Sequence, residues 1–148
     1  MVLRLTKPYF NGSETEAVKE VLESGWLAEG KKTEEFEQAL CEIVGSKYAV
    51  AVCNATVGLE LSLRALNVTR DVVTSAFGHP ATVRAIINAG CTPSFSDVEL
   101  ETYNCVLHKK YARQPLEAYM PVSWGGNQTY RVTPVSYTHL TLPTTPYV

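Results

Sequence analysis

This sequence of 148 residues has no long apolar run, no excess of positive charge and no cysteine pair at a metal-binding spacing. Each absence removes a class of protein. No apolar stretch approaches the roughly 20 residues that a membrane-spanning helix needs, so no membrane partner is expected. Thirteen Lys and Arg stand against fifteen Asp and Glu, a formal net charge of −2, and no basic patch is interleaved with aromatics. That leaves no electrostatic case for nucleic acid or an anionic surface as a partner. Cys41, Cys53, Cys91 and Cys105 are scattered, with no C-x-x-C and no histidine at ligand spacing. They read as small buried hydrophobes, and no metal is expected. The opening "MVLRLTKPYF" lacks the apolar core and small-residue cleavage site of a secretory leader, so the cytoplasm is the expected compartment. The N-x-[ST] triplets beginning at Asn11, Asn54, Asn67 and Asn127 are then chance matches.

What is present is 45% apolar and 19% charged residues, the balance of one globular domain large enough to bury a core. "NGSETEAVKEVLESG" predicts a helix opened by a capping box, Ser13 with Glu16, striped by Ala17, Val18, Val21 and Leu22 and stopped at Gly25. After the loop "WLAEGKK", Thr33 is expected to cap a second helix with Glu34 and Glu35 in its first turn. Phe36, Leu40 and Ile43 would be its core face and Gly45 its end. From Tyr48 the period alternates. "YAVAV" reads as a strand covered on both faces, "ATVGLELSLRAL" as a helix with Leu59, Leu63 and Leu66 in register, and "DVVTSAF" as a strand. "PATVRAIINAG" reads as a helix with Pro80 near its start and Gly90 past its end. "TPSFSDV" and "LEAYMPVS" read as further strands, with a short helix near "HKKYAR" between them.

Strand–helix alternation of this kind implies an α/β fold with a mostly parallel sheet and flanking helices. Ligands in such folds bind beyond the carboxyl ends of the strands. Three turns are therefore expected side by side as site walls: Asn54–Thr56, Phe77–Pro80 and Ser96–Val98. A helix that starts just after a buried strand presents unpaired N–H groups and a positive dipole end, an anion site to which the Thr56 hydroxyl would add a donor. The alternative is a simple cap, with Asn54 or Thr56 satisfying its own helix. "CNATVGLE" has neither the P-loop lysine nor a G-x-G-x-x-G fingerprint.

Three longer blocks carry a resemblance. "SGWLAEGKKTEEFEQAL", "AVAVCNATVGLELSLRAL" and "DVVTSAFGHPATVRAIINAGCTPSFSDVELETYN" are similar, in this order, to the N-terminal blocks of the DegT/DnrJ/EryC1/StrS family of pyridoxal-phosphate-dependent sugar aminotransferases. The likeness runs collinearly from about Pro8 to Gly125. It implies the large domain of the aspartate-aminotransferase-like, fold type I architecture, here over residues 1–134. Pyridoxal 5'-phosphate is the implied cofactor, with Ala55 and Thr56 on its phosphate and His79 where the family places an aromatic ring against the pyridine face. Trp26 falls in a loop that the resemblance puts near the substrate site and dimer contact; its other reading is a packing anchor. Asp97, at a strand end, reads as a turn residue. The implied partners are a nucleotide-sugar substrate, an amino-acid donor such as glutamate, and a second copy of the chain in a homodimer.

The family's Schiff-base lysine and its acid facing the pyridine nitrogen belong to an E-D-x-A-Q block and a later lysine loop, and this chain contains neither. Lys7, Lys19, Lys31, Lys32, Lys47, Lys109 and Lys110 all stand in unlike contexts, so no catalytic residue is assigned. Two other functions stay open: a dehydratase of the same family, with His in place of that lysine, and a non-catalytic α/β phosphate-binding module. The last stretch, residues 135–148, is rich in Thr and Pro and without charge or period, so a disordered or non-native tail is expected. Its "VSYTHLTLPT", Val135 to Thr144, resembles a translated sequencing-library adapter, with Pro134 as the junction. On that reading the chain is the N-terminal part of a longer protein. Sequencing the uninterrupted gene downstream of Arg131 tests this. An E-D-x-A-Q segment followed by a lysine loop is the expected result, and a genomic read encoding the same tail and a stop would contradict it.

Overall fold

The computed structural model describes residues 8–106 and 117–126. The expected helix near "HKKYAR" and the tail from Val135 lie outside the described residues. The chain divides into two compact units, with the boundary between Ala51 and Val52.

The N-terminal unit contains two helices, α1 (Ser13–Ser24) and α2 (Lys31–Val44). Both end as the sequence predicts, on glycines with left-handed backbone, Gly25 at φ 69° and Gly45 at φ 72°. Both begin earlier than expected, α1 by one residue and α2 by three. Gly12 and Gly30 are the N-cap residues, which moves Ser13 and Thr33 inside the helices. Asn11 takes the role given to Ser13: its Oδ1 accepts from the Ser13 N–H at 3.0 Å and from the Ser13 hydroxyl at 2.7 Å. Glu14, not Glu16, reaches back to the N–H of Gly12. A shorter Asx-type bond at the helix mouth thus replaces the capping box.

The apolar stripes of α1 and α2 are real, but neither helix buries a residue among those described. Phe36 and Ile43, expected in a core, are 55% and 81% exposed. Helical period records a face that needs cover; it does not supply the cover. "YAVAV" is a second correction. Residues 48–52 form no strand, and Tyr48 and Val50 are largely exposed. An apolar run becomes a strand only when a ladder partner meets its backbone groups. Here the Ala51 N–H is taken by the Glu37 carboxylate at 2.6 Å instead.

The second unit holds the core. Among the described residues it contains α3 (Ala55–Ala65), β1 (Asp71–Ser75), α4 (Pro80–Asn88), β2 (Thr92–Ser96) and β3 (Ala118–Met120). The three strands form one parallel sheet in the order β2-β1-β3. β1 is the central strand, and Val72, Val73, Thr74 and Ser75 are all buried, as an apolar strand covered on both faces requires. Pro93 falls on β2, an edge, where its missing N–H costs no ladder bond on the open side. Leu63 of α3 and Ile86 of α4 meet Val68, Val72, Cys91, Ala118 and Met120 in one apolar cluster.

Two polar ties align the sheet. The buried Thr74 hydroxyl donates to the Met120 carbonyl at 2.8 Å, across β1 and β3. At the opposite end the Glu117 carboxylate accepts from the N–H groups of Thr69 and Arg70, just before β1. The Thr69 bond, with help from Arg70, holds that carboxyl below its ordinary value. Cys91 and Cys105 are buried as expected, and burial pushes both thiols up; Cys53 is exposed and Cys41 only partly covered, against expectation.

Leu63 has no exposed surface, so Leu63→Ala should destabilise the second unit by about 2–5 kcal/mol in urea unfolding. Because the Glu117 value is lowered on folding, its stabilisation is present above the ordinary carboxylate range and is lost as pH falls through the folded value. Glu117→Gln should therefore be less stable than the parent at neutral pH and indistinguishable from it in strong acid. An equal gap at both pH values would contradict this.

Candidate cofactor site

The site forms where two helices begin. β1 ends at Ser75, and the turn Ala76–His79 leads into α4, whose first residue is Pro80. Pro at the first helical position suits a helix start, since its missing N–H would have no partner there. His79 is the N-cap, and its Nδ1 accepts from the Ala81 N–H at 3.1 Å. At the mouth of α3, Asn54 is the N-cap and its Oδ1 accepts from the Val57 N–H at 3.0 Å. The Gly58 N–H is taken by the Asn54 carbonyl. That leaves the N–H groups of Ala55 and Thr56, and the Thr56 hydroxyl, without a hydrogen-bond partner among the described residues.

Both helix mouths open on one cleft of about 740 Å³, whose walls include Thr56, Ser75, Gly78, His79, Arg84 and Phe95. Its electrostatics differ from those of the N-terminal unit. α1 and α2 each carry Glu in the first turn, which offsets the positive dipole end. Neither α3 nor α4 has an acidic residue there. No carboxylate lines the cleft among the described residues, while the Arg84 side chain does. Free amides, a hydroxyl, two uncompensated helix dipoles and a guanidinium are what a phosphate group requires.

Of the three turns expected to meet, two do. Ser96–Val98 does not line the cleft: the Ser96 hydroxyl donates to the Val106 carbonyl, and Val98 bridges to Cys105. Phe95, one residue earlier, takes its place in the wall. Asp97 has the turn role given to it, its Oδ1 accepting from the Val98 N–H at 2.9 Å. Arg84 was not singled out by any motif; its signal is only that it stands one turn after Pro80 on the helix that His79 caps. Ala55, expected beside Thr56, does not line the cleft, although its N–H is free among the described residues.

Trp26 belongs to the N-terminal unit. Its indole Nε1 donates to the Glu29 carbonyl at 2.9 Å. Gly30 lies beneath the ring, where a Cβ would come within 2.6 Å of Nε1. S-G-W-x-x-x-G is thus one local structural unit: Gly25 ends α1, Trp26 folds back, and a side chain at position 30 would have to displace the indole ring before α2 starts. Trp26 also borders a cavity of about 460 Å³ within that unit, together with Glu20, Lys31 and Lys32.

Residues 8–129 match the DegT/DnrJ/EryC1/StrS aminotransferase family. The chain belongs to this family. Solved structures agree with that membership. An aminotransferase from Psychrobacter cryohalolentis superposes with a TM-score of 0.75 at 29% identity, over 83% of this chain and 33% of its own. Spr1654 from Streptococcus pneumoniae, in its PLP-form, gives 0.78 at 27% identity over 86% of this chain and 33% of its own. DesI, solved in the presence of its TDP-sugar product, gives 0.63 at 32% identity over 73% of this chain and 28% of its own. The chain thus spans about a third of the length of these relatives, and the three-stranded parallel sheet with its helices is part of the fold type I architecture they share.

If the open α3 mouth is the anion site, a carboxylate placed in it should act as an internal competitor. Thr56→Glu should leave α3 folded, since an acid in the first turn suits the dipole. It should lower the affinity for pyridoxal phosphate at least tenfold in an equilibrium titration, as one charge-assisted bond is lost and a like charge gained. Unchanged affinity would place the anion elsewhere.

Proposed function

We propose that this chain carries the phosphate-holding part of a pyridoxal-phosphate-dependent aminotransferase that acts on a nucleotide-linked keto sugar, with glutamate as the amino donor. The observation that carries the reading is the pair of helix mouths, α3 and α4, opening into one cleft without a carboxylate. Family membership supports the amino-transfer chemistry, and the TDP-sugar product of DesI supports the substrate class.

The residues present fit the cofactor. The N–H groups of Ala55 and Thr56 and the Thr56 hydroxyl are free to hold its phosphate, and the Arg84 guanidinium adds charge to the same cleft. The His79 imidazole, tethered by its bond to Ala81, offers a flat face for the pyridine ring. Once bound, pyridoxal phosphate supplies the electron sink that stabilises a substrate carbanion. The chain's own part is to bind and orient. The two helix dipoles neutralise the phosphate, and the imidazole fixes the tilt of the ring. We assign no proton-transfer group within the described residues, because no lysine and no acid lines the cleft. Those groups, and a homodimer in which the Trp26 loop contributes to the contact or the sugar site, belong to the longer protein.

Purified chain mixed with pyridoxal phosphate and glutamate should bind the cofactor and show no conversion to the pyridoxamine form by absorbance. Measurable turnover would contradict the assignment of the catalytic lysine and acid outside these residues. The product of the uninterrupted gene should transfer the amino group of glutamate to a nucleotide-linked keto sugar, and failure with every such sugar would contradict the substrate class.

A further inference from the structure

The turn that bears His79 has a weak point. Four residues, Ala76 to His79, connect β1 to α4, and the one next to His79 is Gly78. Glycine has the widest backbone freedom of any residue, so the direction of the imidazole depends on what grips the turn from outside. On the β1 side the Ser75 hydroxyl donates to the Phe77 carbonyl and accepts from the Phe77 N–H, both at 3.0 Å. On the α4 side the only side-chain tie among the described residues is His79 to Ala81.

The remaining grip comes from the segment that leaves β3. A Cβ on Gly78 would stand 3.2 Å from Cγ2 of Val122, so the backbone there already lies against that valine. The Phe77 ring packs on Trp124, with centroids 4.4 Å apart and planes at 42°, and on Tyr103 at 5.7 Å. Trp124 is itself fixed, because its backbone N–H donates to the Oδ1 of Asn104 at 3.1 Å and Asn104 is buried. Tyr103 holds a left-handed backbone at φ 57°, which a non-glycine residue keeps only when its surroundings impose it. The exits of all three strands are therefore tied together around Phe77. The three rings are 43%, 46% and 41% exposed, so this cluster is no part of the apolar core, and its loss should be felt in the turn before it is felt in the fold.

We propose that Trp124, acting through Phe77, is a positioning residue that sets the direction of the His79 imidazole at the cleft. The purpose of this device rests on the pyridoxal-phosphate reading; its geometry does not. Trp124 does not line the cleft, and it works by removing the freedom that Gly78 would otherwise give the turn.

The test reads the imidazole directly, in the 148-residue chain without cofactor. The bond from the Ala81 N–H to Nδ1 keeps the proton of the neutral His79 ring on Nε2, so its side-chain nitrogen spectrum should show one tautomer. His79→Asn assigns its signals among the three histidines. Trp124→Ala should move both His79 nitrogen resonances towards the values of a mobile, averaged ring, Phe77→Leu should do the same, and Trp124→Phe should restore the parent spectrum. Ile86→Val, a mild change in the apolar cluster, should leave it unmoved. If Trp124→Ala does not fold by circular dichroism, Phe77→Leu decides. Unshifted resonances in a folded variant, or an equal shift in Ile86→Val, would overturn the proposal.

A second arm separates this inference from the reading it serves. Trp124→Ala should weaken pyridoxal phosphate binding by roughly two- to tenfold, the scale of one aromatic contact, and leave inorganic phosphate binding unchanged. Equal weakening of both ligands would overturn the positioning role. Absence of pyridoxal phosphate binding in the parent chain would overturn the cofactor reading and leave the tautomer arm to decide the inference alone.

Discussion

β1, Asp71–Ser75, carries a parallel partner on each edge and is buried along Val72, Val73, Thr74 and Ser75. All of the described site is referred to that strand. Its last residue, Ser75, fixes Phe77, its side chain at Thr74 fixes the register of β3, and its Val72 shares one apolar cluster with Leu63 of α3 and Ile86 of α4. A central strand with no freedom to twist or slip gives the loops at its carboxyl end a common reference. That is why open parallel sheets bind ligands at that edge.

The same arrangement leaves a deliberate electrostatic imbalance. A helix start costs least when its first N–H groups are satisfied by a side chain and its dipole is met by an acid. α1 follows both parts, with Asn11 on the Ser13 N–H and Glu14 and Glu16 in its first turn, whereas α2 has the acid, Glu34, and no side-chain cap. α3 follows half of it. Asn54 satisfies the Val57 N–H, but the Ala55 and Thr56 amides stay free and no acid follows. Cap and cradle are therefore not rivals at this turn: Asn54 caps, and the two residues after it remain available to an anion. An anion bound there would add to the stability of the folded chain.

Much of the second unit is legible in the sequence. α3, α4, β1 and β2 declare themselves through period, a proline at a helix start and turn residues at their ends, and they fall within a residue or two of expectation. The errors cluster where local pattern is silent about partners. "YAVAV" has strand composition and no neighbour to pair with among the described residues. Phe36 and Ile43 have core spacing and no cover there. Thr56 and His79, which the family resemblance singles out, line the cleft, while Arg84 and Trp124 carry no such signal in the sequence. A helix-surface arginine and an aromatic in a Gly-rich turn look ordinary until the packing shows what stands beside them. The glycine at position 30 is the converse case, a motif letter whose reason, the Trp26 ring above it, becomes visible only in three dimensions.

The central claim is that the free amides at the start of α3 hold the cofactor phosphate, and amide resonances report on that without any turnover. In a nitrogen–proton correlation spectrum of the labelled chain, pyridoxal phosphate should shift the Ala55 and Thr56 signals first and furthest. Pyridoxal without its phosphate should leave them near their starting positions. Shifts confined to other residues, or an equal response to both compounds, would contradict the account.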